Sequence, residues 1–90
     1  MSQNYLQDPR VIDLCGLHDS QYSPSLSELW LALCQASSHE PSMHGTRGVS
    51  IPYSYDRGDD SEYFWADKYG SIEAAIAAAI VWVLERKETP

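Results

Sequence analysis

Basic residues are scarce in this chain. Six Lys and Arg stand against thirteen Asp and Glu, giving a formal charge of −7 over 90 residues. A field of that sign repels phosphate backbones and anionic lipid surfaces, so neither direct nucleic-acid binding nor membrane binding is expected. Cysteine is scarcer still: Cys15 and Cys34 are enough for one bridge at most. Met1 to Arg10 is polar, with no apolar stretch ahead of a small-residue cleavage site. The expectation is therefore a cytoplasmic protein with both thiols reduced. Long hydrophobic runs are missing as well. The longest, Ala74 to Leu84, has 11 residues, against about 20 for a membrane-spanning helix. With no internal repeat, low-complexity tract or dividing linker, residues 1–90 read as a single domain, of which 1–7 are expected to be flexible.

Catalytic motifs are also lacking. There is no Gly-flanked nucleophile elbow, phosphate-binding Gly loop or HExxH pair. Cys15, His18 and Asp19 are neighbours in sequence, but nucleophilic catalysis needs a spatial arrangement that proximity alone does not supply. A domain this small leaves little surface for a substrate pocket. The expectation is a non-enzymatic protein without a cofactor.

What the chain does have is apolar and aromatic mass. Hydrophobic residues make up 43 %, with three Trp and six Tyr, which favours a folded domain over a disordered one. A chain of this length buries only about 60–65 % of the surface it exposes when unfolded, and large rings offset part of that deficit. Asp8-Pro9 reads as a helix start, with Asp8 as cap, Pro9 in the first helical position and Gly16 as the stop. Ser25-Leu26-Ser27-Glu28 has the form of a capping box. Leu26, Leu29, Trp30, Leu33 and Cys34 then recur at the spacing of one buried helix face, over 25–37.

After a polar stretch from Ser37 to Gly48, Val49, Ile51, Tyr53 and Tyr55 alternate as in a half-buried strand. Pro52 points to an edge or a bulge there. Asp56 to Ser61 reads as a turn, and Glu62 to Lys68 as the second strand of an antiparallel hairpin. Ser71 caps a last helix over 71–87, whose main apolar face is Ile72, Ala75, Ile76, Ala79, Ile80, Val83 and Leu84. Its opposite side, Ala74, Ala77, Ala78 and Val81, is also apolar. Either a second layer of the same chain covers that side, another chain does, or alanine is there for its helix propensity. The order α-α-β-β-α predicts an α+β domain, with the hairpin packed against the two main helices.

Two constellations carry possible chemistry. Cys15-x2-His18 and Cys34-x4-His39, with His44 to spare, have spacings that suit tetrahedral zinc. Against that, Cys34 lies on the helix stripe, where a thiol acts as a small hydrophobe, so no metal is assigned. The second is acidic and aromatic. Asp56, Asp59, Asp60, Glu62 and Asp67 place five carboxylates within twelve residues, with Arg57 among them. Their spacing does not match an EF-hand loop. Tyr63 and Trp65 alternate with Phe64, so the second strand carries rings on both faces. Some rings belong in the core, and any left exposed beside the carboxylates would form a surface suited to binding a protein. The candidate partner-binding residues are Asp56, Asp59, Asp60, Glu62, Tyr63, Trp65 and Asp67.

The run Tyr22-Ser23-Pro24-Ser25 leading into a Trp30-bearing helix, the aromatic hairpin, and Ser71-Ile72-Glu73-Ala74-Ala75-Ile76-Ala77-Ala78-Ala79 together resemble small phage and prophage α/β-sandwich proteins. The likeness spans roughly residues 22–84. In size, acidity and lack of catalytic motifs the chain also resembles the anti-CRISPR proteins of phages. That resemblance implies a protein that acts in a bacterial host cell, docks on a basic surface of a host protein or nucleoprotein complex of the defence system, and blocks nucleic-acid binding there by DNA mimicry. A charge of −7 on 90 residues is less extreme than a dedicated DNA mimic carries, so the expected interface mixes carboxylates with rings. The expected oligomeric state is monomer or homodimer, and the alternatives are a phage accessory or structural protein that self-associates through the last helix, and a small zinc-binding module on Cys15, His18, Cys34 and His39.

Overall fold

Capping side chains set the starts of the first two helices and of the last one. The computed structural model describes residues 5–16, 24–37, 40–55 and 58–88, and the side chains of all of these except 53–55, 58, 59, 87 and 88. Of the segment 1–7 expected to be flexible, 1–4 lie outside the described residues. Tyr5–Gln7 form a 3₁₀ turn whose Tyr5 ring meets Tyr69 edge-on, with centroids 5.7 Å apart. Helix α1 (Pro9–Leu14) starts with Asp8 accepting the Arg10 backbone N–H at 2.9 Å, and Pro9 fills a position where no donor is needed. Helix α2 (Leu26–Ala36) starts with a complete capping box: Ser25 Oγ accepts the Glu28 N–H at 3.2 Å, and Glu28 Oε1 accepts the Ser25 N–H at 2.9 Å.

Three antiparallel strands follow in the order β1 (Ser42–Met43), β2 (Gly48–Tyr55), β3 (Gly58–Trp65). The hairpin expected from sequence is present but longer. Its connection shrinks to residues 56–57, so Asp59, Asp60 and Ser61 lie in strand and not in a turn. The register pairs Gly48 with Trp65, Val49 with Phe64, Ser50 with Tyr63 and Ile51 with Glu62. The added strand β1 pairs Ser42 with Ser50 and Met43 with Val49. Because β1 is so short, Pro52 meets no strand on that side. The Gly48 carbonyl accepts from His44 N–H, so even-numbered β2 residues turn their backbone groups toward β1. Pro52 therefore lacks its donor on the open side, as an edge position requires.

Strand β3 ends three residues earlier than the expected Lys68. Ala66–Tyr69 wind into a short helix, α3, with Asp67 in its first turn and Lys68 in its last. Gly70, at φ +97°, closes it with its N–H on the Ala66 carbonyl, a left-handed cap that glycine adopts without a Cβ penalty. Ser71 then starts α4 (Ile72–Glu88), its hydroxyl accepting the Ala74 N–H at 3.0 Å.

Helix α4 is the axis of the core. It touches α1, α2, α3, the 3₁₀ turn, β2 and β3, and residues 75–81 are all buried. This settles what covers Ala77, Ala78 and Val81: the same chain does. Ala74, on the same side of the helix, is half-buried. A helix apolar on every side is what a central position demands. The face of α2 differs in part from the expected one. Leu29 and Leu33 are buried, but the stripe is completed by Ala32 and Ala36, while Trp30 and Cys34 are half-buried and Leu26 is exposed. Alanines on both helices of the α2–α4 contact allow close approach. Val49, Ile51 and Phe64 supply the sheet's side of the core. The result is an α+β domain, and no helix among the described residues is long and apolar enough to cross a membrane.

Candidate binding surface

Strand alternation decides where each candidate residue goes. Successive side chains of β3 point to opposite faces. Phe64, buried at 4 % exposure, marks the inner face toward α4, where it meets Trp82 edge-on at 5.9 Å. Asp60 and Glu62 share that parity. Glu62 is half-buried and close enough to Tyr69 to help hold its phenol above the ordinary range, after the larger effect of burial and that of Tyr5. Asp60 is exposed, and its Oδ1 accepts the Ser61 N–H at 2.8 Å. Tyr63 and Trp65 have the other parity and lie on the outer face.

The seven candidates therefore do not form one patch. Tyr63 and Trp65 come together, Asp60 and Glu62 leave by the opposite face, and Asp67 sits exposed on α3. Asp59 is in β3 opposite Ser54, with its side chain outside the described residues, and Asp56 is outside them altogether.

On the outer face the two rings stack in parallel, with centroids 5.5 Å apart and planes 7° apart. They remain 49 % and 42 % exposed, although both sit in a strand of the sheet. His44, at the end of β1, lies tilted against both, 5.9 Å from Tyr63 and 5.8 Å from Trp65. Its position is fixed twice. The turn after β1 closes by the Arg47 N–H on the His44 carbonyl, with Gly45 at φ +62°, and His44 Nε2 lies 2.9 Å from Ser50 Oγ. The direction of that hydrogen bond follows the imidazole tautomer. Ser50 is buried at 6 % exposure, opposite Tyr63 and bonded to His44. The Ser50 hydroxyl thereby holds the imidazole beside the rings.

The sequence singles out Tyr63 and Trp65 but not their neighbours His44 and Ser50, and it offers His44 only as a spare metal ligand in a loop. Only the pairing of a two-residue strand across the Gly45 turn brings it to the rings, and two residues are too few to show strand alternation.

The zinc constellation is partly outside the described residues, since His18 and His39 are not among them. Cys15 donates its thiol to the Glu28 carbonyl, Sγ to O 3.8 Å. Burial pushes the thiols of Cys15 and Cys34 up from the ordinary value, with Glu28 and Glu40 respectively adding like charge. Both effects favour S–H over the thiolate that a metal binds. Among the described residues no group of three or more His, Cys, Asp or Glu is placed to hold a metal ion.

No family of known proteins matches this chain, and neither a curated protein nor a solved structure does.

Proposed function

We propose that this chain is a non-enzymatic binding protein that docks on a basic surface of a macromolecular partner through the outer face of its sheet. The observation that carries the reading is the stacked pair Tyr63 and Trp65, half-exposed beside His44 on a sheet whose other face packs on α4. Large rings left in water cost the free protein hydrophobic stabilisation, and such rings are the anchors that dominate protein interfaces. A net charge of −7 makes a cationic counterpart the complementary one and speeds its encounter. The partner that fits both features is a protein whose Lys and Arg residues line a nucleic-acid channel. Occupation of that channel blocks nucleic-acid binding. A defence nucleoprotein complex of a bacterial host, inhibited in the manner of an anti-CRISPR protein, is the specific partner we propose.

The test is capture from a bacterial host lysate with the wild-type chain and with the Tyr63→Ala/Trp65→Ala variant, checked to be folded. The reading expects a nucleoprotein complex, or its protein component, on the wild type and its loss from the variant. Capture of no such complex, or equal capture by both, would rule it out.

A further inference from the structure

Resting on that reading, we infer that the outer edge of β3 accepts a cationic extended segment of the partner as a further strand of the sheet. The strand order places β3 at an edge. Its pairing with β2 runs through Val49 with Phe64 and Ile51 with Glu62, and the Arg47 carbonyl accepts the Ala66 N–H. Even-numbered β3 residues therefore turn their backbone groups toward β2, and residues 59, 61 and 63 turn theirs outward. Among the described residues no strand pairs with that outward side.

Edge strands are normally guarded by proline, by charged side chains or by a bulge. The other edge of this sheet has such a guard in Pro52. Residues 58–65 hold no Pro, Lys or Arg, and they pair with β2 residue for residue without a bulge. The guards present are acidic: Asp60 and Glu62 on the inner face, and the Asp60 carboxylate on the Ser61 N–H; among the described residues the Tyr63 N–H and C=O have no strand partner on that side.

Charge selects the occupant. Asp59, Asp60 and Glu62 put three carboxylates in eight strand residues. A second copy would bring the same three carboxylates against them, and like charges across a strand pair are destabilising. A strand bearing Lys or Arg complements them. Lys or Arg on the outer face of such a strand also comes beside Tyr63 and Trp65, whose ring faces attract cations. Main-chain hydrogen bonds would then supply affinity, and the rings and carboxylates selectivity, which is how added strands are recognised elsewhere.

The experiment uses the full chain with nitrogen-15 label and a terminally blocked Lys-Val-Lys-Val-Lys-Val-Lys peptide, with Lys-Val-Lys-Pro-Lys-Val-Lys as its equally charged, strand-breaking counterpart. We expect the first peptide to slow exchange of the Tyr63 amide about tenfold or more at saturation and the second to bind at least about tenfold more weakly. Ser61→Pro puts a pyrrolidine ring on the outward side of β3, in the way of an added strand, while leaving the ladder to β2 intact. It should weaken the first peptide by about tenfold, with the Glu62 and Phe64 amides still protected as proof of folding. Equal binding of the two peptides, or an unprotected Tyr63 amide, overturns strand addition. Lysate capture separates the two proposals. Partner retained by Ser61→Pro but lost by Tyr63→Ala/Trp65→Ala overturns the edge and leaves the outer face standing, whereas retention by all variants overturns both.

Discussion

Gly48 and Trp65 face each other across the β2–β3 ladder, and the indole fills the space that a side chain at residue 48 would need. A methyl group there would stand 3.0 Å from both Cε3 and Cα of Trp65 and would run into the Phe64 carbonyl. Glycine in a strand often marks such a close approach, and an aromatic ring laid over it restores the cover that the missing side chain would give. Gly48→Ala should therefore cost about 1–3 kcal/mol through overpacking. In urea unfolding this appears as a lower midpoint at unchanged slope. The same variant should weaken partner binding by moving Trp65 out of its stack with Tyr63. Wild-type stability in this variant would show that the ring does not rest on Gly48.

The buried face of α2 makes a second, contrasting prediction. Leu33 is fully buried, while Leu26 and Leu31 are 37 % and 59 % exposed. Leu33→Ala should cost about 2–5 kcal/mol. Leu31→Ala should fall within about 0.5 kcal/mol of wild type, and Leu26→Ala should cost about 1 kcal/mol or less. Three chemical denaturation curves check the ranking. A Leu26→Ala penalty equal to that of Leu33→Ala would restore the face that periodicity alone suggests.

That contrast shows what was legible in the sequence. Caps are local chemistry, so Asp8-Pro9, Ser25 with Glu28, and Ser71 could be read directly, and so could the hairpin and the Ala-rich helix. The rotation of α2 could not. Ala32 and Ala36 count toward helix propensity in a sequence but toward core in a structure where a central helix comes close. Strand β1 and helix α3 have two and four residues, too few for any period to register. They form because other parts of the chain, β2 for the one and Tyr5 with Phe64 for the other, give them something to lean on. The site suffered for the same reason. Alternation predicted that Phe64 would part from Tyr63 and Trp65, yet grouping the nearby carboxylates with the rings ignored that the same alternation sends Asp60 and Glu62 to the opposite face.

Acid should weaken the first two helices by a defined route. The Arg10 side chain, then its backbone N–H, hold the Asp8 carboxyl below the usual range against the opposing effect of burial, and Ser25 does the same for Glu28. A folded-state pKa below the unfolded one means that the contribution is present above the unfolded value. It is lost as pH falls through the ordinary carboxylate range to the lower folded values. Thermal midpoints should hold near neutrality and decline as pH falls through that interval. Asp8→Asn with Glu28→Gln should flatten the decline, because both replacements keep hydrogen-bonding groups but no longer titrate. An unchanged acid slope would contradict the assignment. Asp8→Ala, which removes the cap itself, should cost about 1 kcal/mol at neutral pH.

The cysteines should react sluggishly. Burial raises both thiols, and Cys15 is also engaged with the Glu28 carbonyl. Alkylation followed by mass spectrometry across a pH series should give, for each cysteine, a midpoint above that of free cysteine. A midpoint at or below the free value would mean a thiolate-stabilising setting, the opposite of the one described.

The central claim is that Tyr63 and Trp65 on the outer sheet face make the contact with a cationic partner. Its most direct test is the affinity of the purified captured complex for the wild type, for Tyr63→Ala/Trp65→Ala and for Leu31→Ala, at low and high salt. We predict a loss on the order of a hundredfold for the double variant, little change for Leu31→Ala, and weaker wild-type binding at high salt. Equal affinity of all three chains, or binding indifferent to salt, would contradict it.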